Sequence, residues 1–200
     1  MTDNFDKIIP LLSFKEGYFY FVQILQRKKD HKGDGKVNGT NNNSRLIKAY
    51  YIDSQDKLEF VKPEIIELCK LFNARAGINL NRRSYEKMAF QQLKKITDQI
   101  LNKEFAKAHR AYNAVCGSYS HDTDKSWIID IDGSDEHQQS NDMIAFINKS
   151  CFPEGAKYLA TIPSRSGYHI ITRPFDMHKF KTVYPSIDVH KNNPTNLYIP

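Results

Sequence analysis

Trp127-Ile128-Ile129-Asp130-Ile131-Asp132-Gly133 decides how the second half of this chain folds. Large apolar residues, two aspartates at i and i+2, and a closing glycine describe a buried strand that ends in a turn. Side chains on a strand alternate between faces, so Asp130 and Asp132 project from one side, roughly 6–7 Å apart along the chain. Trp127, Ile129 and Ile131 take the other side. Aspartate is depleted in strands, and two like charges beside an apolar core are costly unless something neutralises them. A hard divalent cation does so through oxygen ligands. Taken singly, Asp-x-Asp is more simply the solvated end of a strand where a turn begins, and it is the segments downstream of Gly133 that favour the metal-binding reading.

Beyond that glycine, the pattern predicts a helix over about 140–151, strands over about 157–162 and 167–173, a short helix over about 176–183 and a strand over about 186–190, before a last Leu197-Tyr198-Ile199. This β-α-β-β-α-β order is the split arrangement of ferredoxin-like folds, shared by RNA-recognition modules (RRM) and polymerase palms. Upstream, Tyr18 to Leu25 is aromatic and β-branched and reads as a strand. Residues 27–44 read as a long polar loop. Arg45 to Tyr51 resumes as a strand, with Leu58 to Val61 as its partner across a turn at 53–56. Pro63-Glu64 opens a helix to Phe72, Ala76 to Leu80 is a short strand, and a long helix runs from about Ser84 to Ala108. Met88, Leu93, Ile96, Ile100 and Phe105 form its apolar stripe, expected to lie in the core. The fold class is therefore α+β: an N-terminal α/β lobe over 1–115 packed on an RRM-like palm lobe over 116–200, within one compact domain.

Two hundred residues, 40% of them hydrophobic, suffice for such a core. Lys and Arg number 29 against 23 acids, a net of +6, which suits a polyanionic partner without requiring one. Cys69, Cys116 and Cys151 are too few and too scattered for a disulfide framework or a structural zinc site. Cys116 and His121 are near enough to share a metal, but a satisfied or solvent-exposed pair is the simpler expectation. The N-terminus carries acids where a secretory signal would be basic and then apolar, and no run of residues is long and apolar enough to span a membrane. A cytoplasmic protein is expected.

Two further segments complete a pattern. Ser164-Arg165-Ser166-Gly167-Tyr168-His169 is a polar turn entering a strand, with hydroxyl, backbone and guanidinium donors that suit phosphate oxygens. Ser186-Ile187-Asp188-Val189-His190 sets a third acid among β-branched residues. In this order the three segments resemble the motifs of the archaeo-eukaryotic primase superfamily: Asp-x-Asp/Glu, Ser-x-His in a longer Ser/Gly setting, and a hydrophobic-Asp strand. Asp130 and Asp132 match the first motif, Ser164 to His169 the second, with Gly167-Tyr168 intervening between serine and histidine, and Asp188 the third. The resemblance covers residues 125–200 and is nearest to the small primases of phages and plasmids, which would place the protein in the host cytoplasm.

The resemblance implies a DNA primase or primase-polymerase core that performs template-directed nucleotidyl transfer from NTPs or dNTPs. Asp130, Asp132 and Asp188 would be its catalytic acids and its ligands for Mg²⁺ or Mn²⁺, in the two-metal arrangement of such enzymes. Ser164, Arg165, Ser166 and His169 would bind the nucleotide. A DNA template and primer would be its partners, with a replicative helicase or an accessory domain beside them. Arg82 and Arg83, read as preceding a helix where cations gain nothing from the dipole, are candidates for nucleic-acid contact. So is Lys191, which with Lys179 and Lys181 flanks the third motif. Two other classes compete. A replication-initiator-type nickase needs a second histidine two residues from the first, whereas His169 is followed by Ile170-Ile171-Thr172. A non-catalytic single-stranded nucleic-acid-binding module fits the sheet and the aromatics, but acids on its binding face would repel phosphate.

Overall fold

Strand alternation and helix caps account for most elements of the computed structural model, which describes residues 1–30, 44–120, 122–133 and 137–200. The architecture is mixed α+β, with two antiparallel sheets and six α-helices among the described residues. No helix among them is long and apolar enough to cross a membrane.

The first sheet has the order β1-β9-β4-β2-β3: β1 (Thr2–Asp3), β9 (Thr195–Ile199), β4 (Arg75–Ser84), β2 (Tyr18–Arg27) and β3 (Ser44–Ile52). The second has the order β6-β7-β5-β8: β6 (Tyr158–Pro163), β7 (Gly167–Thr172), β5 (Trp127–Asp132) and β8 (Asp188–His190). On one face of the second sheet Ile129, Ile131 and Ile170 are buried with Met143 and Ile147 of α5 (His137–Ser150) and Phe180 of α6 (Met177–Val183). On the other face Ile128, Ile162 and Ile171 join Val22, Ile24, Ile78 and Leu197 in the core of the first sheet. The alternation of β5 therefore directs Asp130 and Asp132 toward the first sheet, at the edge of that shared core.

Several elements depart from expectation. Residues 58–61 are not a strand: α2 spans Gln55–Phe72, started by Ser54, whose Oγ accepts from Lys57 N at 3.2 Å, and it carries Pro63 in its interior. Proline favours the first turn of a helix, which is why the sequence points to a start there; the Ser54 cap and the burial of Leu58 and Ile65 outweigh one lost backbone bond. The strand expected at 76–80 extends to Ser84, because the polar side chains of its second half are bonded to neighbouring segments instead of water. The long helix stops at Leu101 (α3, Tyr85–Leu101) and is followed by a short 3-10 stretch and by α4 (Ala111–Ser118), which the sequence did not reveal. Val115 and Cys116 of α4 fill the space beside Phe19, Phe21 and Met88. Of the expected stripe only Met88 is fully buried, and Leu93, Ile100 and Phe105 are exposed. The last strand also departs from a division at residue 115, since β9 returns to the first sheet between β1 and β4. Of the polar loop expected at 27–44, residues 31–43 lie outside the described residues, as does His121 of the Cys116–His121 pair.

At Gly167 the backbone of β5 leaves no room for a side chain on β7. A Cβ built there lies 2.0 Å from the carbonyl oxygen of Ile131 and 3.1 Å from Cα of Asp132, both backbone atoms that cannot swing aside. Gly167→Ala is expected to force the central pair of strands apart and to lower unfolding free energy by ~2–3 kcal/mol, read from urea denaturation; a loss under about 0.5 kcal/mol would show that the strands adjust freely.

Candidate active site

The sheet register assembles the three sequence motifs. Asp130 on the central strand stands opposite His169 of β7 on one side and opposite Asp188 of β8 on the other. Directly opposed residues of antiparallel strands share a face, with Cβ atoms about 4.5–5.5 Å apart. His169, Asp130 and Asp188 therefore form one row across the sheet, and Asp132 lies two residues further on the same face. Trp127, Ile129 and Ile131 occupy the opposite face.

Against the His169 and Asp130 end of this row lies a cavity of about 490 Å³, lined by Asp130, Asp132 and His169, by Ser164 and Ser166 of the β6–β7 turn, and by Arg27 and Arg75 of the first sheet; Asp188 does not line it. The turn between β6 and β7 is fixed by its backbone: Ser164 N donates to Gly167 O at 2.9 Å, and Gly133 N donates to Ser166 O at 2.7 Å. Ser166 Oγ donates to Asp132 Oδ1 at 3.3 Å, orienting that carboxylate. Arg165 turns away from the acids, with Nη1 on Asp30 Oδ1 at 3.0 Å. Asp188 sits exposed on the edge strand.

His169 is held from both ends of its ring. Nδ1 bonds Thr195 Oγ1 at 2.9 Å, and Nε2 is 3.4 Å from Asp130 Oδ1. Burial pushes its pKa below the usual histidine value, and His190 adds to this; Asp130 and Asp132 pull the other way without reversing it. The unfolded chain therefore takes up the proton first as pH falls. The resulting stability loss is absent well above ~6.5 and grows as pH drops below it, until the folded-state ring also protonates. His169→Gln is expected to flatten the decline between about pH 6.5 and 5, whose slope from this one group is at most ~1.4 kcal/mol per pH unit. Urea midpoints of both proteins across that range in chelator check it; parallel curves would remove His169 as the cause.

Asp130, Asp132 and Asp188 offer hard carboxylate oxygens on one face, a donor type that fits Mg²⁺ or Mn²⁺. Among the described residues, however, no group of three or more His, Cys, Asp or Glu side chains is already drawn together in a metal-holding cluster. The acids are aligned by register without being converged.

The arginines expected at nucleic acid are placed otherwise. Arg83 is completely buried and donates to Cys116 O at 2.9 Å and to Asn192 Oδ1 at 3.1 Å, so it is a structural residue. Arg82 binds the buried Asp122 through Nε and Nη2, both at 2.8 Å, and donates to Ser13 O. They lie at the end of the strand that runs directly into α3, so they do precede a helix as expected, but their guanidinium groups are already engaged within the protein. Lys191 remains exposed, with Nζ 4.9 Å from the centre of the Trp127 ring. Lys181 donates to Ile187 O at 2.7 Å, which ties the end of α6 to the segment before β8. Thr195 and Arg75 were not foreseen, and Arg27, expected at the start of the polar loop, ends β2. They come from β9, β4 and β2, adjacent strands of the first sheet, and nothing local in the sequence links them to the acids.

Comparison of the chain with protein-family models, with curated proteins and with solved structures returns no match in any of the three.

Proposed function

We propose that this chain is the catalytic core of a metal-dependent nucleotidyltransferase of the primase or primase-polymerase type, joining NTPs or dNTPs on a DNA template. The observation that carries the proposal is the register that sets Asp188 and His169 on either side of Asp130, with Asp132 on the same face. Asp130, Asp132, Ser164, Ser166 and His169 of the first two motifs line a nucleotide-sized cavity, and Asp188 of the third stands beside Asp130 on the edge strand. The strand order β6-β7-β5-β8, with α5 and α6 on the face away from the acids, supports assigning the second sheet to the ferredoxin-like, RRM-like palm class.

Asp130, Asp132 and Asp188 would hold Mg²⁺ or Mn²⁺, which supplies charge neutralisation and Lewis-acid stabilisation of the triphosphate. The chain's own residues do the positioning. Ser166 fixes the Asp132 carboxylate, and Thr195 fixes the His169 ring so that its Nε2 faces Asp130 and the cavity. The neutral imidazole favoured by burial can donate one hydrogen bond there without placing a cation beside the acids. The β6–β7 turn, through Ser164 and Ser166, presents donors to phosphate oxygens. Such a site works by orientation and electrostatics, with little covalent chemistry from the protein. The deciding experiment is template-directed dinucleotide synthesis and primer extension by the purified chain with Mg²⁺ and then Mn²⁺. Tight single-strand binding with no incorporation under either metal would favour a binding module instead.

A further inference from the structure

The wall of the cavity across from the acids is basic. Arg27, the last residue of β2, and Arg75, the first of β4, both line it. Arg75 is opposite Leu25, two residues before Arg27, which makes the two arginines diagonal neighbours on one face, about 7–8 Å apart and within reach of one another's long side chains. Arg27 is half-buried and has no hydrogen-bond or ion-pair partner among the described residues. Arg75 gives one nitrogen to Asp30, while its Nε is buried without a partner among the described residues. Arg165 takes the same Asp30 oxygen at 3.0 Å. Among the described residues one aspartate thus serves two arginines, which with Arg27 gives this end of the cleft more positive than negative charge.

A half-buried guanidinium without a counter-ion is costly, and its planar fork matches phosphate oxygens. The acids on the opposite wall repel an anion, so a ligand filling the cavity must be anionic at the arginine end and compatible with carboxylates, or with a cation they hold, at the other. A cavity of about 490 Å³ suits a small molecule better than a strand of nucleic acid. We infer that Arg27 and Arg75 bind the terminal phosphate of a nucleoside triphosphate, with Arg27 as the principal anchor, so that the first sheet holds the tail while the second holds the reacting end. The identity of the nucleotide rests on the nucleotidyl-transfer proposal; the anion site does not.

The test is calorimetric titration of the full chain with inorganic tripolyphosphate in metal-free, low-salt buffer. Arg27→Gln is compared with Arg173→Gln, which removes the same charge from an exposed arginine paired with Asp124. Wild type should bind, R27Q should bind roughly 10- to 100-fold more weakly, R173Q should match wild type, and R27K should fall between. Adenosine monophosphate should bind more weakly than tripolyphosphate and respond less to R27Q. The inference is overturned if wild type binds no tripolyphosphate, if R27Q and R173Q weaken it equally, or if R27Q spares tripolyphosphate and instead loses binding of an oligothymidylate. If R27Q loses tripolyphosphate but the wild type incorporates no nucleotide, the anion site stands and the polymerase proposal falls. If the wild type incorporates nucleotides and R27Q binds tripolyphosphate unchanged, this inference alone falls.

Discussion

Asp130→Asn is expected to lower metal-dependent nucleotide incorporation by at least ~10²–10³-fold while changing unfolding free energy by no more than about 1 kcal/mol. Asp130 is the central member of the row, opposed by His169 and Asp188, and its side chain is 36% exposed in the cavity. Asparagine keeps the shape and can still meet the His169 ring, but it removes the charge that a divalent cation needs. Without metal, that charge sits close to Asp132 and Asp188, so its loss relieves repulsion as much as it forfeits the interaction with His169. Activity and stability should therefore separate. A residue important only for folding would lose both together. Asp124→Asn, which breaks an exposed pair with Arg173, serves as the control and should change neither appreciably. Incorporation by D130N within a few-fold of wild type would remove Asp130 from the catalytic site.

How far the site could be read in advance depends on the range of the interactions that build it. β5 was legible because its alternation is local: apolar residues on one side and acids on the other are adjacent in the chain. The β5-β7-β8 register extends the same logic, since each strand shows one hydrophobic face and can pair in only one parity without burying its charges. What local pattern cannot supply is the partner of a polar side chain. Asn81 and Arg83 look like a helix lead-in in sequence, yet with Asn79 they occupy alternate positions of a strand because Asn192 O, Lys191 O, Ser126 O and Cys116 O accept their hydrogen bonds. The exposed apolar residues of α3 were misjudged for the complementary reason: the core beneath them is filled by α4, so periodicity gave the right element and the wrong burial. Thr195 was invisible because it belongs to a strand in the other sheet, brought to His169 only by the return of the chain after β8.

Arg83→Met is expected to cost ~3–5 kcal/mol, the largest loss of stability of any single substitution considered. The side chain is 0% exposed, and burial lowers its pKa to about 10, so it stays charged at neutral pH. No carboxylate among the described residues bonds to it directly. Its cation is solvated by the protein's own dipoles: Cys116 O at 2.9 Å, Asn81 O, and Asn192 Oδ1 at 3.1 Å. Replacing a buried ion pair by apolar residues can be neutral, because both partners leave together. Here only the cation leaves, and these acceptors stay behind in a dry site, each carrying an unmet hydrogen bond. The effect should also reach the cavity. Asn192 connects Arg83 and Ser118 to the segment that leads through Pro194 into Thr195, and Thr195 fixes His169. R83M should therefore show a lower urea midpoint at pH 7 together with faster amide exchange at Asn192 and Thr195. R83K keeps the charge but lacks the fork, and should recover only part of the loss. If R83M unfolds within about 1 kcal/mol of wild type, Arg83 does not bolt α4 and the 191–195 segment to β4, and the ring of His169 must owe its orientation to something else.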